Sequence, residues 1–308
     1  MFKDLNSNEK AIDFLKKELN FKREAGTYLF YGVDRDLLKK FAKAFAKSLN
    51  CINYTDDFCG VCESCIRIES ETHGDLEILD DITGIKIEKI RELAYRDSTT
   101  SYEGKKKVYI IRDVERLRKE SANALLKLIE EPNSGSFFIL TSTGLNVLPT
   151  IKSRSILLNI LQESAEEIGV TQEEYRFFLG KSKEIEDYKN SEIDLNEGSS
   201  FERIGHNIKN WTDTKEFQYK VEIYKSIRDF LNTKDYLTLN DKLYFVDEIL
   251  LNTSDRELIK EIINYTISLI GNRSKNLEKL LELKNIGRSS INLKNLLVTF
   301  YTNVYESD

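Results

Sequence analysis

The sequence lacks long apolar runs, a secretion signal and frequent proline. No apolar stretch in the 308 residues approaches the ~20 residues that a membrane-spanning helix needs. The opening residues, Met1 to Asn6, lead into a charged amphipathic stretch instead of the apolar core of a signal peptide. We therefore expect a cytoplasmic protein with no membrane partner. The only prolines are Pro132 and Pro149, so long helices can run through much of the chain.

Basic residues are also fewer than acidic residues. The chain has 46 Lys and Arg against 52 Asp and Glu, which gives a net charge of -6 and an isoelectric point near 5.4. Phosphate binding depends mainly on Lys and Arg, so this balance argues against a protein that grips nucleic acid alone over a broad surface. A local basic patch remains compatible with it.

Short apolar strand candidates alternate with helical patterns in the first half of the chain. The strand candidates are rich in Ile, Leu, Val and aromatic residues: 27–31, 76–79, 107–111, 137–141 and 155–158. Between them apolar residues recur at helical spacing, for example from Leu37 to Leu49. This alternation is typical of an α/β fold with a mostly parallel sheet, which we assign to residues 1–160.

Strand patterns disappear after residue 160. A charged segment with short helical stretches follows, which indicates a small second unit over residues 161–212. Residues 213–308 then contain about five stronger helical patterns of the kind found in helix bundles. A length of 308 residues agrees with two or three domains.

The cysteines are few and lie together. All four fall within fifteen residues: Cys51, Cys59, Cys62 and Cys65. Four thiolates at this spacing can complete a tetrahedral shell around zinc, and Gly60 allows the tight turn that this requires. Because four protein ligands leave no open coordination position, we predict a structural Zn²⁺ site in a module of about residues 51–65. Disulfides are not expected in a reducing cytoplasm, whereas four free thiols or an iron–sulfur cluster are the alternatives.

The turn after the first strand candidate stands where a phosphate-binding loop would lie in a sheet of this kind. Such a loop needs glycines whose backbone N–H groups wrap the phosphates, a Lys, and a Ser or Thr for magnesium. Here Gly32 is the only glycine, Leu38 stands at the expected lysine position, and Lys39 is out of register by one. Asp34 and Asp36 place negative charge where phosphates would lie. We predict an ordinary strand-to-helix turn that binds no nucleotide.

The third strand candidate leads into Asp113 and Glu115, where a nucleotide hydrolase carries acidic residues for magnesium and water. Arg112 precedes them, and no phosphate cradle accompanies them. We interpret Asp113 and Glu115 as an acidic pair at a helix N-terminus, which the helix dipole favours. A metal at Asp113 is the alternative, and catalysis by this chain is not expected.

Several segments occur together in one order along the chain. They are Tyr28-Leu29-Phe30-Tyr31-Gly32, the segment from Cys59 to Cys65, His73-Gly74-Asp75, Ile85 to Leu93, Tyr102 to Ile111, and Ser121 to Pro132. Over residues 1 to about 160 they resemble the bacterial clamp-loader family that contains the delta-prime and gamma/tau subunits of DNA polymerase III. The resemblance implies an AAA+ P-loop-type sheet domain with a zinc module, then a small helical lid and an all-α C-terminal collar that joins the subunits.

Within this family, a degenerate phosphate loop separates the delta-prime type from the ATP-hydrolysing gamma/tau type. The resemblance therefore implies a non-catalytic, delta-prime-type subunit of the DNA polymerase III holoenzyme, a DNA-directed DNA polymerase. Such a subunit has no ATPase activity of its own. The implied partners of this hetero-oligomer are the gamma/tau and delta subunits, the sliding clamp, and primer–template DNA through the complex.

The family also carries a Ser-Arg-Cys motif before its last strand, whose arginine reaches the ATP of the neighbouring motor subunit. Here the motif reads Ser153-Arg154-Ser155, so the arginine is kept and the cysteine is replaced. The resemblance implies that Arg154, after Ser153, is an arginine finger in trans, because a guanidinium neutralises γ-phosphate charge. A surface arginine paired with an acidic side chain is the alternative.

Three other functions stay open from the sequence. They are an ATP-hydrolysing gamma/tau-type motor with a divergent loop, an AAA+ protein of repair or recombination, and a zinc-stabilised scaffold without an arginine finger. His73, in a family-like turn, predicts a structural hydrogen bond, and Thr141 and Ser142 predict hydrogen bonds at a strand end.

Overall fold

The computed structural model describes residues 1–2, 5, 8–81, 84–271, 275–286 and 292–305. The chain forms two compact units. The first comprises residues 1–175 and 180–183, and the second comprises residues 176–179 and 184–308. The predicted border at residue 160 lies inside the first unit, and the division into sheet domain, lid and collar stays a prediction.

The first unit is built on a parallel five-stranded sheet with the order β2-β3-β4-β1-β5. The strands are β1 (Gly26–Tyr31), β2 (Leu76–Leu79), β3 (Lys107–Ile111), β4 (Ser136–Ser142) and β5 (Ile156–Asn159). Every residue of β3 and β4 is buried, as expected of central strands covered on both faces. The predicted α/β class, the parallel sheet and the five strands are confirmed, with bounds that agree to within one residue.

Helices cover both faces of this sheet. They are α1 (Glu9–Asn20), α2 (Arg35–Asn50), α3 (Glu63–Glu69), α4 (Ile87–Asp97), α5 (Lys119–Glu130) and α6 (Pro149–Lys152). Successive residues of a strand point to opposite faces, so β1 sends Tyr28 and Phe30 to the core beneath α1 and α2. Leu29 joins the opposite core, which α4, α5 and α6 close. The carboxyl ends of the strands therefore lie between two packed layers.

After β5 the described chain is helical. The helices are α7 (Ala165–Ile168), α8 (Gln172–Phe177), α9 (Ser182–Lys189), α10 (Ile204–Thr214), α11 (Phe217–Thr233), α12 (Leu239–Asn252), α13 (Arg256–Ile270), α14 (Leu277–Ile286) and α15 (Leu293–Tyr305). The helical patterns of the sequence match these elements except α9, which no pattern predicted. Every helix in the described ranges is too short or too polar to cross a membrane.

A charge cluster around the buried Glu184 connects three helices of the second unit. The ammonium group of Lys220 on α11 lies 2.8 Å from Glu184 Oε1 on α9 and 3.1 Å from Glu261 Oε1 on α13. The Tyr224 hydroxyl donates to the same Glu261 oxygen at 2.9 Å, and its ring stacks on Tyr265 at 4.1 Å. Burial lowers the pKa of Lys220, but the two carboxylates outweigh it and raise that pKa. Lys220 therefore stays charged and neutralises the carboxylates.

We predict that Lys220→Ala lowers the free energy of unfolding by about 3 kcal/mol, because removing one partner leaves the buried Glu184 carboxylate uncompensated. Urea unfolding followed by circular dichroism measures this change. Lys260→Ala is the control, since its pair with Glu257 is more exposed and should contribute less than about 1 kcal/mol. Equal losses in the two variants would contradict the assignment.

Candidate functional site

The four cysteines of the sequence converge in space. Their sulfur atoms all lie within 4.8 Å of one another. Cys51 directly follows α2, Cys62 precedes α3 and Cys65 lies within α3. Cys59 belongs to the loop between these helices, where Gly60 has a φ of 76° that favours glycine. Tetrahedral coordination by 2.3 Å Zn–S bonds needs sulfurs roughly 3.8 Å apart, so this donor set is compatible with zinc.

Local hydrogen bonds prepare these sulfurs to bind a cation. The Cys59 N–H donates to Cys51 Sγ at 3.4 Å, and the Cys62 N–H donates to Cys59 Sγ at 3.2 Å. Burial raises the pKa of the Cys59 thiol, but hydrogen bonds from the backbone of Val61 and Cys62 outweigh it and bring that pKa to about 6. Burial raises the pKa of Cys65. Thiolates are the metal-binding form, so a bound cation would favour ionisation of the buried thiol.

Asn50 anchors this cysteine cluster to the edge of β3. Its Oδ1 accepts the N–H groups of Lys105 at 3.0 Å and Lys106 at 2.9 Å, and its Nδ2 donates to the Lys106 carbonyl at 2.9 Å. The Lys105 ammonium donates to the Cys51 carbonyl at 2.8 Å. The residue before the first cysteine thus ties the cluster to the loop before β3. The sequence analysis did not identify Asn50, and its one signal was its place beside Cys51.

Asp75 fixes the same loop from the other side. Its buried carboxylate accepts the N–H groups of Tyr102 at 2.6 Å, of Glu103 at 2.8 Å and of Gly104. Burial raises the pKa of Asp75, but these three backbone donors outweigh it, so that pKa is lowered. His73 accepts from the Asp75 N–H at 3.2 Å, which is the structural hydrogen bond predicted for it.

The turn after β1 and the start of α2 contain the three residues assigned to a degenerate nucleotide loop. A Cβ at Gly32 would lie 2.3 Å from the Ile160 carbonyl oxygen, so this glycine permits the close approach of the chain after β5. Leu38 is buried in the core beneath α2. The ammonium group of Lys39 lies 2.9 Å from Glu71 Oε1. The three residues of the predicted degenerate loop therefore serve packing and a surface ion pair.

Asp34 caps α2 with its own carboxylate. One carboxylate oxygen accepts the N–H groups of Asp36 at 2.9 Å and Leu37 at 3.0 Å. The other accepts the N–H of Ser182, the first residue of α9, at 2.7 Å. A negative group at the first turn of a helix is favoured by the free N–H groups and the dipole, and this is also where phosphates bind.

Asp113 pairs with Arg35, the first residue of α2. The Arg35 guanidinium lies 2.6 Å from Asp113 Oδ2 and 2.9 Å from Asp80 Oδ1. Arg112 pairs with the same Asp80 and donates to the Arg35 carbonyl at 3.1 Å. Burial lowers the pKa of Arg35, but the ion pair with Asp113 outweighs it and raises that pKa. These four side chains form a charge network at the carboxyl ends of β2 and β3.

Asp113 and Glu115 lie at the N-terminus of a helix, as interpreted from the sequence, but that helix is a single 3₁₀ turn. The turn comprises Val114–Arg116, and among the described residues the Asp113 side chain makes no capping hydrogen bond. Glu115 instead accepts from the N–H of Thr143 at 3.1 Å and from its hydroxyl at 2.7 Å. Opposite charge from Arg35 determines the position of Asp113.

Arg154 lies beyond α6 and is bound within its own chain. Its guanidinium donates to Glu130 Oε1 at 2.9 Å and to the Thr150 carbonyl at 3.2 Å. Ser153 donates to the same carbonyl at 3.1 Å. The Arg154 and Glu130 side chains are 31% and 55% exposed, so water screens their ion pair. This is the geometry of the surface-pair alternative, and a trans role for Arg154 stays a prediction.

Residues 7–164, about half of the chain, match the family described as "DNA polymerase III, delta subunit". The chain belongs to this family of DNA polymerase III subunits. The match contains the sheet, the cysteine cluster and the Ser153-Arg154 pair.

Individual members of the DNA polymerase III group agree with the family assignment. The tau/gamma subunit of Haemophilus influenzae is 37% identical over 161 residues, which are 52% of this chain and 23% of that protein. The delta' subunit of Bacillus subtilis is 33% identical over 156 residues, which are 50% of this chain and 47% of that protein. The chain thus spans less than half the length of either relative, and the two carry different subunit names.

A solved structure extends the likeness to the helical part. A DNA polymerase III gamma subunit-related protein from Thermotoga maritima superimposes with a TM-score of 0.61 over 96% of this chain and 99% of its own. The two sequences are 18% identical, so this likeness shows the fold alone. The helical second half therefore follows the fold of another DNA polymerase III-related protein.

We predict one tightly bound zinc ion per chain at Cys51, Cys59, Cys62 and Cys65. Elemental analysis of the purified chain should give one zinc, and the Cys62→Ser, Cys65→Ser double variant should lose it because two of four thiolates are gone. Val61→Ala is the matched control, since this exposed neighbour offers no ligand. Unchanged zinc in the double variant would rule out the site.

Proposed function

We propose that this chain is a clamp-loader subunit of the delta-prime type, which helps to load the sliding clamp onto primed DNA without ATPase activity of its own. Membership of the DNA polymerase III family supports the setting. The observation that supports the delta-prime type is the pair of contacts after β1: Asp34 caps α2, and Arg35 of the charge network pairs with Asp113 at 2.6 Å. Both contacts stand where an active relative would hold nucleotide and metal.

The proposed partners follow from the family. They are the gamma/tau and delta subunits, the sliding clamp, and primer–template DNA reached through the complex, in the cytoplasm and away from membranes. In this proposal residues 1–160 form the AAA+ domain, 161–212 the lid and 213–308 the collar that joins neighbouring subunits. The net charge of -6 agrees with a subunit that does not grip DNA alone.

Zinc has a structural role in this proposal. The four cysteines would supply the whole coordination shell, which leaves no position for substrate or water. A bound ion would cross-link the end of α2 to the start of α3. Asn50 and Asp75 then hold the cross-linked segment against the loop before β3.

Arg154 is the proposed donor of catalytic charge to a neighbouring motor subunit. Its bond to Glu130 is exposed to water, so exchanging Glu130 for a phosphate loses little. A phosphate offers the guanidinium a second charged partner with the same planar two-oxygen geometry. The chain would thereby complete the ATP site of its neighbour while using no ATP itself.

An ATP-hydrolysing motor of the gamma/tau type is the second candidate, because relatives with that name match the same half of the chain. It requires nucleotide to enter beside Asp34 and Arg35, and the charge network opposes this. A repair or recombination AAA+ protein has weaker support, since the family match is to DNA polymerase III.

The first test of this proposal is ATP binding. We predict that isothermal titration calorimetry of the purified chain with magnesium ATP gives no saturable heat at micromolar protein, because a carboxylate already occupies the phosphate position. A gamma/tau subunit with an intact phosphate loop serves as the positive control. Saturable micromolar binding would favour the motor candidate.

The second test is the loss of Arg154 from the assembled loader. Arg154→Ala should leave assembly intact and lower clamp- and DNA-stimulated ATP turnover only in part, because an arginine finger contributes ~10³ or more at its own site while the other sites keep theirs. Arg154→Lys should rescue poorly, since a point charge lacks the planar fork. Lys152→Ala, two residues away, is the control. Unmodified turnover and clamp loading in the Ala variant would contradict a trans role.

A further inference from the structure

A magnesium nucleotide bound to a sheet of this kind brings negative charge on its phosphates and positive charge on its metal ion. Its phosphates lie at the N-terminus of the helix after the first strand, where free N–H groups point at them. Its cation lies against acidic side chains that follow another strand. A chain without nucleotide must satisfy both the free N–H groups and the buried acidic groups by other means.

Asp34 supplies a negative charge where the phosphates would lie. Its carboxylate accepts three backbone N–H groups, two from the first turn of α2 and one from the first residue of α9. Two helix N-termini therefore share one anion. An ordinary N-cap satisfies only the donors of its own helix, so the Ser182 contact at 2.7 Å goes beyond capping.

Arg35 supplies a positive charge where the metal ion would lie. Its guanidinium lies within 2.9 Å of oxygens from both Asp113 and Asp80, as a metal ion between two carboxylates would. The Asp113 side chain is 2% exposed, so its charge needs a partner inside the protein. Arg112, which is 5% exposed, binds Asp80 from the other side and fixes the Arg35 backbone.

Several buried polar atoms in and beside the charge network have no hydrogen-bond partner among the described residues. They are Thr141 Oγ1, Glu115 Oε2, Arg112 Nε, Arg35 Nε and both Asp113 carboxylate oxygens. Asp113 is therefore held by charge, chiefly that of Arg35. Thr141 follows Leu140, the register partner of Ile111, so it stands level with Arg112 at the end of the sheet. Such atoms are rare in folded proteins, and they mark a position whose polar lining exceeds what the side chains themselves use.

We propose that Asp34 and Arg35 are the chain's own replacements for a magnesium nucleotide, the carboxylate standing for phosphate and the guanidinium for the metal ion. The chain therefore reaches its folded, assembly-ready form without a ligand. This inference deepens the proposed lack of ATP use and rests on it, but it is tested on the full chain alone. Its failure would leave the role of Arg154 and the zinc site untouched.

The first experiment removes the internal cation. Arg35→Ala should lower the melting temperature by about 6 °C or more, because Asp113 is left buried and unpaired. Adding 5 mM MgCl₂ should restore about half of the loss, since a divalent cation can take the place of the guanidinium. The wild-type chain should not respond to Mg²⁺, and the Arg35→Ala, Asp113→Asn double variant should lose the response.

The control for this experiment is Arg96→Ala, which removes an arginine from an exposed pair with Glu77 outside the network. If Mg²⁺ stabilises Arg35→Ala no more than Arg96→Ala, Arg35 does not stand in for a metal and the proposal is wrong. Should Arg35→Ala fail to fold, Arg35→Gln keeps most of the side chain without its charge and gives the same readout.

The second experiment removes the internal anion. Asp34→Ala should lose stability, and inorganic phosphate should then raise its melting temperature by about 2 °C more than that of Thr238→Ala. Thr238 is a matched control because it caps α12 with a capping box that lies outside the network. Equal phosphate responses in the two variants would show that Asp34 is an ordinary cap.

Discussion

The ion pair between Arg35 and Asp113 determines what the carboxyl edge of this sheet can do. In parallel sheets that edge is where ligands bind, because helix N-termini and strand ends meet there. Here a 2.6 Å contact between two side chains of the chain itself occupies it, and Arg112 and Asp80 extend the contact. Opening the edge to a nucleotide would require separating a buried carboxylate from its partner, which is strongly unfavourable. The proposed lack of ATPase activity rests on this ion pair as well as on the missing glycines and lysine.

The same sheet positions the two features that remain for function. The cysteine cluster begins at Cys51, directly after α2, and Asp34 caps the N-terminus of the same helix. Asn50 and Asp75 hold the loop before β3 with hydrogen bonds to its backbone, so the cluster is tied to the amino ends of β2 and β3. Arg154 follows α6 on the opposite side of the central strands and keeps only exposed contacts.

Sequence patterns predicted the features that depend on neighbours in the chain. The five strands follow from short apolar runs, and the cysteine cluster follows from its spacing, since both signals are local. The charge network could not be predicted, because Arg35 contacts residues that are 45 and 77 positions away in the sequence. No local sequence pattern indicates such long-range contacts. The interpretation of Asp113 as part of an acidic pair at a helix N-terminus therefore did not include its ion pair with Arg35. Helix α9 was missed because its sequence, Ser182–Lys189, is mostly charged and carries little apolar pattern.

The central claim is that the chain joins a clamp loader as a subunit that holds zinc but no nucleotide. Native mass spectrometry of the complex reconstituted with the gamma/tau and delta subunits of the same organism, in the presence of a non-hydrolysable ATP analogue, tests it most directly. The account predicts a complex that contains this chain, one zinc per copy of it, and no more nucleotides than there are gamma/tau copies. An additional nucleotide for each copy of this chain, or no complex at all, would contradict it.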